Sequence, residues 1–262
     1  MAIPILAYHA VSNVIGAGIA RTTISQFRKQ MTWLSQNGFS TITLHEYFTR
    51  HQNQLPVGAK SIIISFDDSY ECLDAAAKIM SEFNFVGCCF VISDYVGKTN
   101  AWDYQFLNHR AMHADYSLLE KLLETGWEVG SHTKTHAFLP DLSISEVEHE
   151  LYVSKAVLEK NLGIQIRSLS YPFGKCNESV IAVAKEAGYV LGVNLGMQPQ
   201  STINFMKLPR IGIYLFDFLP AFSKKIKLAC QDSDIFLHFQ RYISMFSYGS
   251  VVFNKIKTKL SA

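Results

Sequence analysis

Missing from this chain of 262 residues are a long apolar run and a cysteine framework. No stretch approaches the roughly 18–20 consecutive apolar residues of a membrane span. The N-terminus enters Ile3-Pro4-Ile5-Leu6-Ala7-Tyr8-His9 at once, with no basic stretch and apolar core ahead of it, so no signal peptide is expected. The five cysteines are odd in number and form no C-x-x-C pair. Cys88 and Cys89 sit inside the apolar run 85–92 and read as small hydrophobes of a buried strand. Such usage argues against a disulfide framework and for a reducing, cytoplasmic setting. Glycine (15) and proline (7) are too few for a collagen-like repeat, and 48% hydrophobic against 18% charged residues excludes a disordered chain or a coiled coil. Lys plus Arg number 24 and Asp plus Glu 22, so the basic excess of a nucleic-acid surface is absent too. The stretch 243–262 mixes aromatic side chains with Lys255, Lys257 and Lys259. A solvated end is the expectation there, and weak contact with a membrane surface is the other reading.

What is present is alternation. Residues 3–9 read as a strand; Ile24, Phe27, Met31 and Leu34 then share one helical face, and Gly38 ends it. Thr43-x-x-Glu46 has the capping-box pattern and opens a short helix. Strand-like runs follow at 61–66, 86–92, 127–131, 166–171, 189–194 and 208–213. Between them the pattern predicts helices over 70–83, from Ser117-x-x-Glu120 to Gly126, from Ser143-x-x-Glu146 to Leu162, and over 178–187, before a helical tail. Nearly continuous apolar strands alternating with helices mean parallel strands covered by helices. No Pro- or Ser-rich linker divides the chain. The expectation is one α/β domain, closed or nearly closed into a barrel, with its chemistry at the C-terminal strand ends.

Three groups of residues fall at such ends. Asp67-Asp68 follows the run 61–66; two adjacent carboxylates repel unless a cation or a shared proton relieves them, although alone they would serve as N-caps. His132 and His136 follow 127–131, and an i, i+4 pair brings two imidazoles to one turn, which suits a shared metal. Thr133 stands where the H-E-x-x-H proteases have glutamate. His109 and His113 repeat the spacing in a polar loop without a preceding strand and are expected at the surface. The third group is Ser170-Tyr171-Pro172-Phe173-Gly174, a turn after 166–171 able to expose backbone N–H groups. Two histidines and a carboxylate make a hydrolytic metal site, and a second carboxylate beside them can take a proton from water.

With these residues in place, the chain resembles the polysaccharide deacetylase family with the NodB homology domain (carbohydrate esterase family 4). Ile64-Ser65-Phe66-Asp67-Asp68-Ser69 is similar to its T-F-D-D-G motif, Ser131-His132-Thr133-Lys134-Thr135-His136 to its H-[ST]-x-x-x-H motif, and Tyr171-Pro172-Phe173-Gly174 to its R-x-P-[FYW]-G motif. Leu6-Ala7-Tyr8-His9 and Leu208-Pro209-Arg210-Ile211 resemble one branch of the family. The resemblance implies a distorted (β/α)7-type barrel over 1–214, with 215–262 as a helical C-terminal extension, and metal-dependent removal of an N-acetyl group from an amino sugar. By motif position Asp68, His132 and His136 would hold one divalent ion, Zn²⁺ foremost, with Co²⁺, Ni²⁺ or Fe²⁺ also fitting. Asp67 would be the general base, and the Phe173 backbone N–H would steady the oxyanion. Substrate contacts are expected from Tyr171, Arg210 and Trp102, the last in the long loop 93–116.

The chain departs from the family pattern at three places. Ser69 replaces the motif glycine, and Ser170 stands where many members carry an arginine that pairs with the catalytic aspartate; Arg210 is the candidate replacement. The late histidine that serves the family as acid has only His238 as its nearest match, and His238 reads as a packed or surface histidine, which leaves the acid open. His9 at the end of the first strand either lines the site mouth or is a hydrogen-bonded structural histidine. The partner expected is an N-acetylated carbohydrate. The competing readings are a hydrolase of a non-sugar linear or cyclic amide on the same scaffold, and a catalytically weak glycan binder.

Overall fold

The computed structural model describes residues 3–14, 20–100, 111–196 and 203–230. In chain order these form β1 (Ile5–Tyr8), β2 (Ala10–Val11), β3 (Arg21–Thr22), α1 (Ile24–Gln36), β4 (Ser40–Thr41), α2 (Leu44–Gln52), β5 (Ser61–Phe66), α3 (Leu73–Ser81), β6 (Cys88–Val91) and α4 (Tyr116–Glu124). They continue with β7 (Glu128–Ser131), α5 (Ile144–Leu162), β8 (Ser168–Ser170), α6 (Glu178–Glu186), β9 (Leu191–Leu195), β10 (Leu208–Gly212) and α7 (Leu219–Cys230).

Strand β1 closes the sheet. It pairs with β5 on one side (Tyr8 opposite Phe66) and with β10 on the other (Leu6 opposite Ile211), and β6 to β9 complete a ring of parallel strands. The result is the expected single-domain barrel of seven parallel strands, with β4 adding two residues beside the start of β5. Side chains alternate across this wall because strand periodicity is two. Ile5, Ile63, Cys88, Phe90, Leu191, Val193 and Leu208 fill the interior, where Leu44 and Tyr47 of α2 join them. Leu6, Tyr8, Ile62, Ile64, Phe66, Cys89 and Val91 face the helices instead. Cys88 and Cys89 therefore are what their run suggests, buried thiols on opposite faces of one strand, and all five cysteines are free.

Helix starts follow the capping patterns with two corrections. Thr23, Thr43 and Ser143 cap α1, α2 and α5, the last with the full reciprocal box to Glu146. Helix α4, however, is capped by Asp115, whose carboxylate accepts from the Leu118 N–H, so Ser117 lies inside the first turn. Helix α3 begins at Leu73 and not at residue 70, because Tyr70 is held in a bridge to His113. Of the expected C-terminal extension, α7 packs on α1 through Trp33 and Phe222 (ring centroids 6.0 Å apart), and residues 231–262, with Lys255, Lys257 and Lys259, lie outside the described residues. Its Lys225 ammonium reaches the Gly212 carbonyl at 3.0 Å and the Asp217 carboxylate at 2.7 Å. No helix among the described residues is long and apolar enough to cross a membrane.

Candidate active site

The ends of β5, β7, β8 and β10 converge on one buried cluster. Asp67 continues β5, its N–H donating to the Tyr8 carbonyl at 2.9 Å. Its carboxylate is gripped by Arg210 of β10: Nη1 donates to Oδ1 and Nη2 to Oδ2, both at 2.7 Å. The guanidinium also donates to Ser65 Oγ (3.1 Å), Ser170 Oγ (2.8 Å) and the Asn194 carbonyl (3.3 Å), and lies 5.5 Å above the Phe90 ring. Arg210 is fully buried and Asp67 is 2% exposed. Burial alone would raise the Asp67 pKa, but Arg210, with help from His132 and His9, holds it well below the usual carboxylate range.

Asp68 turns the other way. Its backbone takes φ +64 and Ser69 follows at +46, both in the left-handed region that side chains resist. The Ser69 hydroxyl donates to the Phe90 carbonyl at 2.9 Å, so the serine at the motif's glycine position still makes the turn. Asp68 Oδ1 lies 3.5 Å from His132 Nε2 and 3.7 Å from His136 Nε2. His132 Nδ1 donates to the Ser170 carbonyl at 2.7 Å, which leaves the Nε2 lone pair facing the carboxylate. The loop carrying both histidines is braced from α5: the Glu150 carboxylate accepts from the Lys134 and Thr135 N–H groups, each at 2.9 Å, and from the Thr135 hydroxyl at 2.6 Å.

One ligand atom each from Asp68, His132 and His136 lie within 4.8 Å of one another, all buried. Two ligands at about 2.1 Å from a tetrahedral ion stand roughly 3.4 Å apart, close to the separations seen, so the donor set fits a divalent cation of zinc type. Burial also drives both imidazoles to the neutral, ligating form. It lowers the His132 pKa to about 4, against the pull of Asp67, and takes His136 well below its ordinary value with His132 as second cause.

The third group forms the turn after β8. Phe173 has φ +58, and its ring meets that of His136 at 4.7 Å, which sets this turn against the cluster. Gly174 follows at φ +65 with its α-carbon pressed on Leu195, where any Cβ would collide.

Several residues sit differently from expectation. Tyr171, expected at the substrate, has a fully buried side chain whose hydroxyl donates to the Met206 carbonyl at 2.9 Å. Arg210, expected at the substrate and as the replacement for the motif arginine, has its guanidinium committed to Asp67 and the two serines, as the second expectation requires. His113, expected at the surface, is 4% exposed and donates from Nδ1 to the Asp68 carbonyl at 2.7 Å. Trp102, His109 and His238 lie outside the described residues. His9 is half-buried, its Nδ1 has no hydrogen-bond partner among the described residues, and burial lowers its pKa against the pull of Asp67. Sequence reasoning passed over Glu150 as well. Its one signal was an acid on the buried face of α5, between Val147 and Leu151.

Fold and site together define an α/β barrel of the kind that does chemistry at its strand ends. A family model described as polysaccharide deacetylase matches residues 54–192, more than half of the chain, and the chain belongs to that family. It is 28% identical over 184 residues to the poly-beta-1,6-N-acetyl-D-glucosamine N-deacetylase of Staphylococcus epidermidis, a match covering 66% of this chain and 61% of that protein. It is 26% identical over 201 residues to the Staphylococcus aureus (strain N315) protein of the same name, covering 71% and 66%. The chain thus spans less than two thirds of the length of these curated relatives. Among solved structures, Streptococcus pyogenes deacetylase PplD in complex with acetate superposes with a TM-score of 0.72 at 21% identity, covering 85% of this chain and 96% of that one. IcaB from Ammonifex degensii gives 0.71 at 18% identity, covering 87% and 97%. At such identities the two structures speak for the fold.

Proposed function

We propose that the chain is a metal-dependent N-deacetylase acting on an N-acetylated amino-sugar glycan, with residues 1–214 as the catalytic unit and 215–262 as its extension. The observation that carries this reading is the buried Asp68–His132–His136 cluster beside a second carboxylate, Asp67, that Arg210 keeps ionised. The names of the staphylococcal relatives support a β-1,6-linked N-acetylglucosamine polymer or oligomer as substrate. Five free thiols support a reducing, cytoplasmic setting.

In this reading Asp68, His132 and His136 hold one divalent ion, with Zn²⁺ foremost and Co²⁺, Ni²⁺ or Fe²⁺ as alternatives. When bound, such an ion supplies Lewis acidity, lowering the pKa of water toward about 7 and drawing charge from a carbonyl. Asp67 accepts the proton of the attacking water on a carboxylate lone pair left free beside its two bonds to Arg210. A carboxylate held this low by Arg210 is a weak base, and stays ionised and ready to accept a proton. The Phe173 N–H donates to the oxygen that turns anionic as the acetamide carbon becomes tetrahedral. The proton that lets the sugar nitrogen leave as an amine is the one Asp67 has taken from the attacking water. A hydrolase of non-sugar amides drew its support from the missing motif arginine, and the Arg210–Asp67 pair removes that support.

The test is acetate release from N-acetylglucosamine oligomers by chelated enzyme, by enzyme reloaded with Zn²⁺ or Co²⁺, and by Asp67→Asn with its metal content checked. Release that needs metal and falls by roughly a hundredfold or more in Asp67→Asn is the expected result. One bound ion per chain with no release from any acetylated sugar would overturn the substrate class, and no bound ion would overturn the site.

A further inference from the structure

His113 is buried with only one of its two ring nitrogens hydrogen-bonded among the described residues. Its ring lies between Tyr70 (centroids 4.8 Å apart) and Tyr95 (5.5 Å), and its Nδ1 is 2.7 Å from the Asp68 carbonyl oxygen. A carbonyl oxygen only accepts, so Nδ1 carries the proton and Nε2 holds a lone pair. That Nε2 is buried and has no hydrogen-bond partner among the described residues. Half of the imidazole's polar capacity is therefore given up in order to make one bond, and that bond goes to the backbone of a candidate metal ligand.

The backbone it holds is the part of the site least inclined to form. Asp68 at φ +64 and Ser69 at +46 are consecutive residues with side chains in the left-handed region, where glycine alone is at ease. The contacts that keep them there include Ser69 Oγ donating to the Phe90 carbonyl at 2.9 Å and the Ala114 N–H donating to the Ser69 carbonyl at 2.7 Å. The segment that delivers His113 and Ala114 is itself fixed: the His113 N–H donates to Lys98 at 2.9 Å, Gly97 donates to Ala114 at 3.0 Å, and Glu71 donates to Met112 at 2.8 Å. An imidazole on a pinned segment thus grips the carbonyl of a strained residue whose carboxylate must meet two histidines.

The geometry points to His113 as a positioning residue: its Nδ1–H holds the Asp68 backbone in the left-handed turn that aims the carboxylate at His132 and His136. The assignment rests on reading that cluster as a metal site. Without the donor, Asp68 relaxes toward ordinary backbone angles and its carboxylate swings off the histidine pair. A glycine at position 69 would relieve half of the strained turn and make the grip less necessary.

Chelator competition with Zn²⁺, and the visible absorption of bound Co²⁺, measure this apart from turnover. His113→Phe keeps a ring between Tyr70 and Tyr95 and removes only the donor. His113→Asn discards the ring and keeps an N–H at about the place of Nδ1. The expected result is a loss of Zn²⁺ affinity of about 10- to 100-fold in His113→Phe, with His113→Asn within about threefold of the parent. In a Ser69→Gly background the His113→Phe loss should shrink below about tenfold. Folded His113→Phe binding Zn²⁺ like the parent would overturn the inference, and so would His113→Asn binding more weakly than His113→Phe, since that order marks a packing role. If His113→Phe does not fold, His113→Gln, whose amide sits one carbon farther out, takes its place under the same criterion. A parent protein that binds neither Zn²⁺ nor Co²⁺ overturns the metal reading instead, which separates the two failures.

Discussion

Replacing Arg210 by alanine tests the electrostatic centre of the site. The guanidinium is fully buried and makes two 2.7 Å bonds to Asp67, so its removal strands a carboxylate that is 2% exposed. Breaking a buried pair from one side costs about 3–5 kcal/mol. In a domain of this size each kcal/mol lowers Tm by roughly 2–4 °C, so Arg210→Ala should melt about 6–20 °C below the parent at pH 7. The pH dependence carries the more specific claim. In the parent the Asp67 pKa lies below its unfolded value, so its contribution is present above the usual carboxylate pKa and is lost only on strong acidification. In the variant, desolvation is no longer opposed by Arg210 and the sign inverts: the folded pKa rises above the unfolded one, and stability falls as pH rises through it. The Tm deficit should therefore widen from about pH 4 toward pH 7, and the acid limb of the acetate-release profile should move to higher pH. Differential scanning calorimetry of the metal-free proteins across that range measures it. A variant that melts within about 1 kcal/mol of the parent at pH 7, with an unmoved acid limb, would refute the pairing as the source of Asp67 ionisation.

Further outcomes follow from the same contacts. Gly174→Ala puts a Cβ onto Leu195 at a residue whose φ is +65, and should cost about 2–4 kcal/mol in thermal unfolding while displacing the Phe173 turn and lowering kcat. The metal-free protein should lose stability as pH falls from about 6.5 to about 4. Over that window the unfolded chain protonates His132 and His136 while the folded chain keeps them neutral, worth about 1.4 kcal/mol per pH unit for each histidine. A melting temperature flat across that window would refute their burial as neutral groups. Ser170→Arg should destabilise the protein and not repair the motif, because position 170 is fully buried and Arg210 Nη2 already donates to its hydroxyl at 2.8 Å. Adding Arg210→Ser to that variant should recover part of the lost activity, as read by acetate release.

What could be read along the chain was whatever neighbours in sequence decide. Apolar runs at 61–66 and 208–213 became β5 and β10, and the Thr43 and Ser143 patterns became caps, because a strand face or a first helical turn is settled within a few residues. Where two local patterns competed, the weaker cue misled: Asp115 outranks Ser117 as the α4 cap, and a bridge to His113 delays α3. The site is another matter. Two H-x-x-x-H pairs carry the same spacing, and nothing local says that His113 of the second is pressed against the aspartate serving the first, 45 residues away. The Asp67–Arg210 contact spans 143 residues and exists only because β1 sits between β5 and β10 when the barrel closes. That closure also accounts for the serine at the motif's arginine position. Ser65, Ser170 and Arg210 meet beneath Asp67, all three fully buried, with the Arg210 guanidinium donating to both hydroxyls. With arginine contributed by β10, the residues on β5 and β8 must be small and must accept a hydrogen bond, and serine is both. The positive charge beneath Asp67 is therefore supplied across the barrel from β10, while β8 contributes a serine at that level.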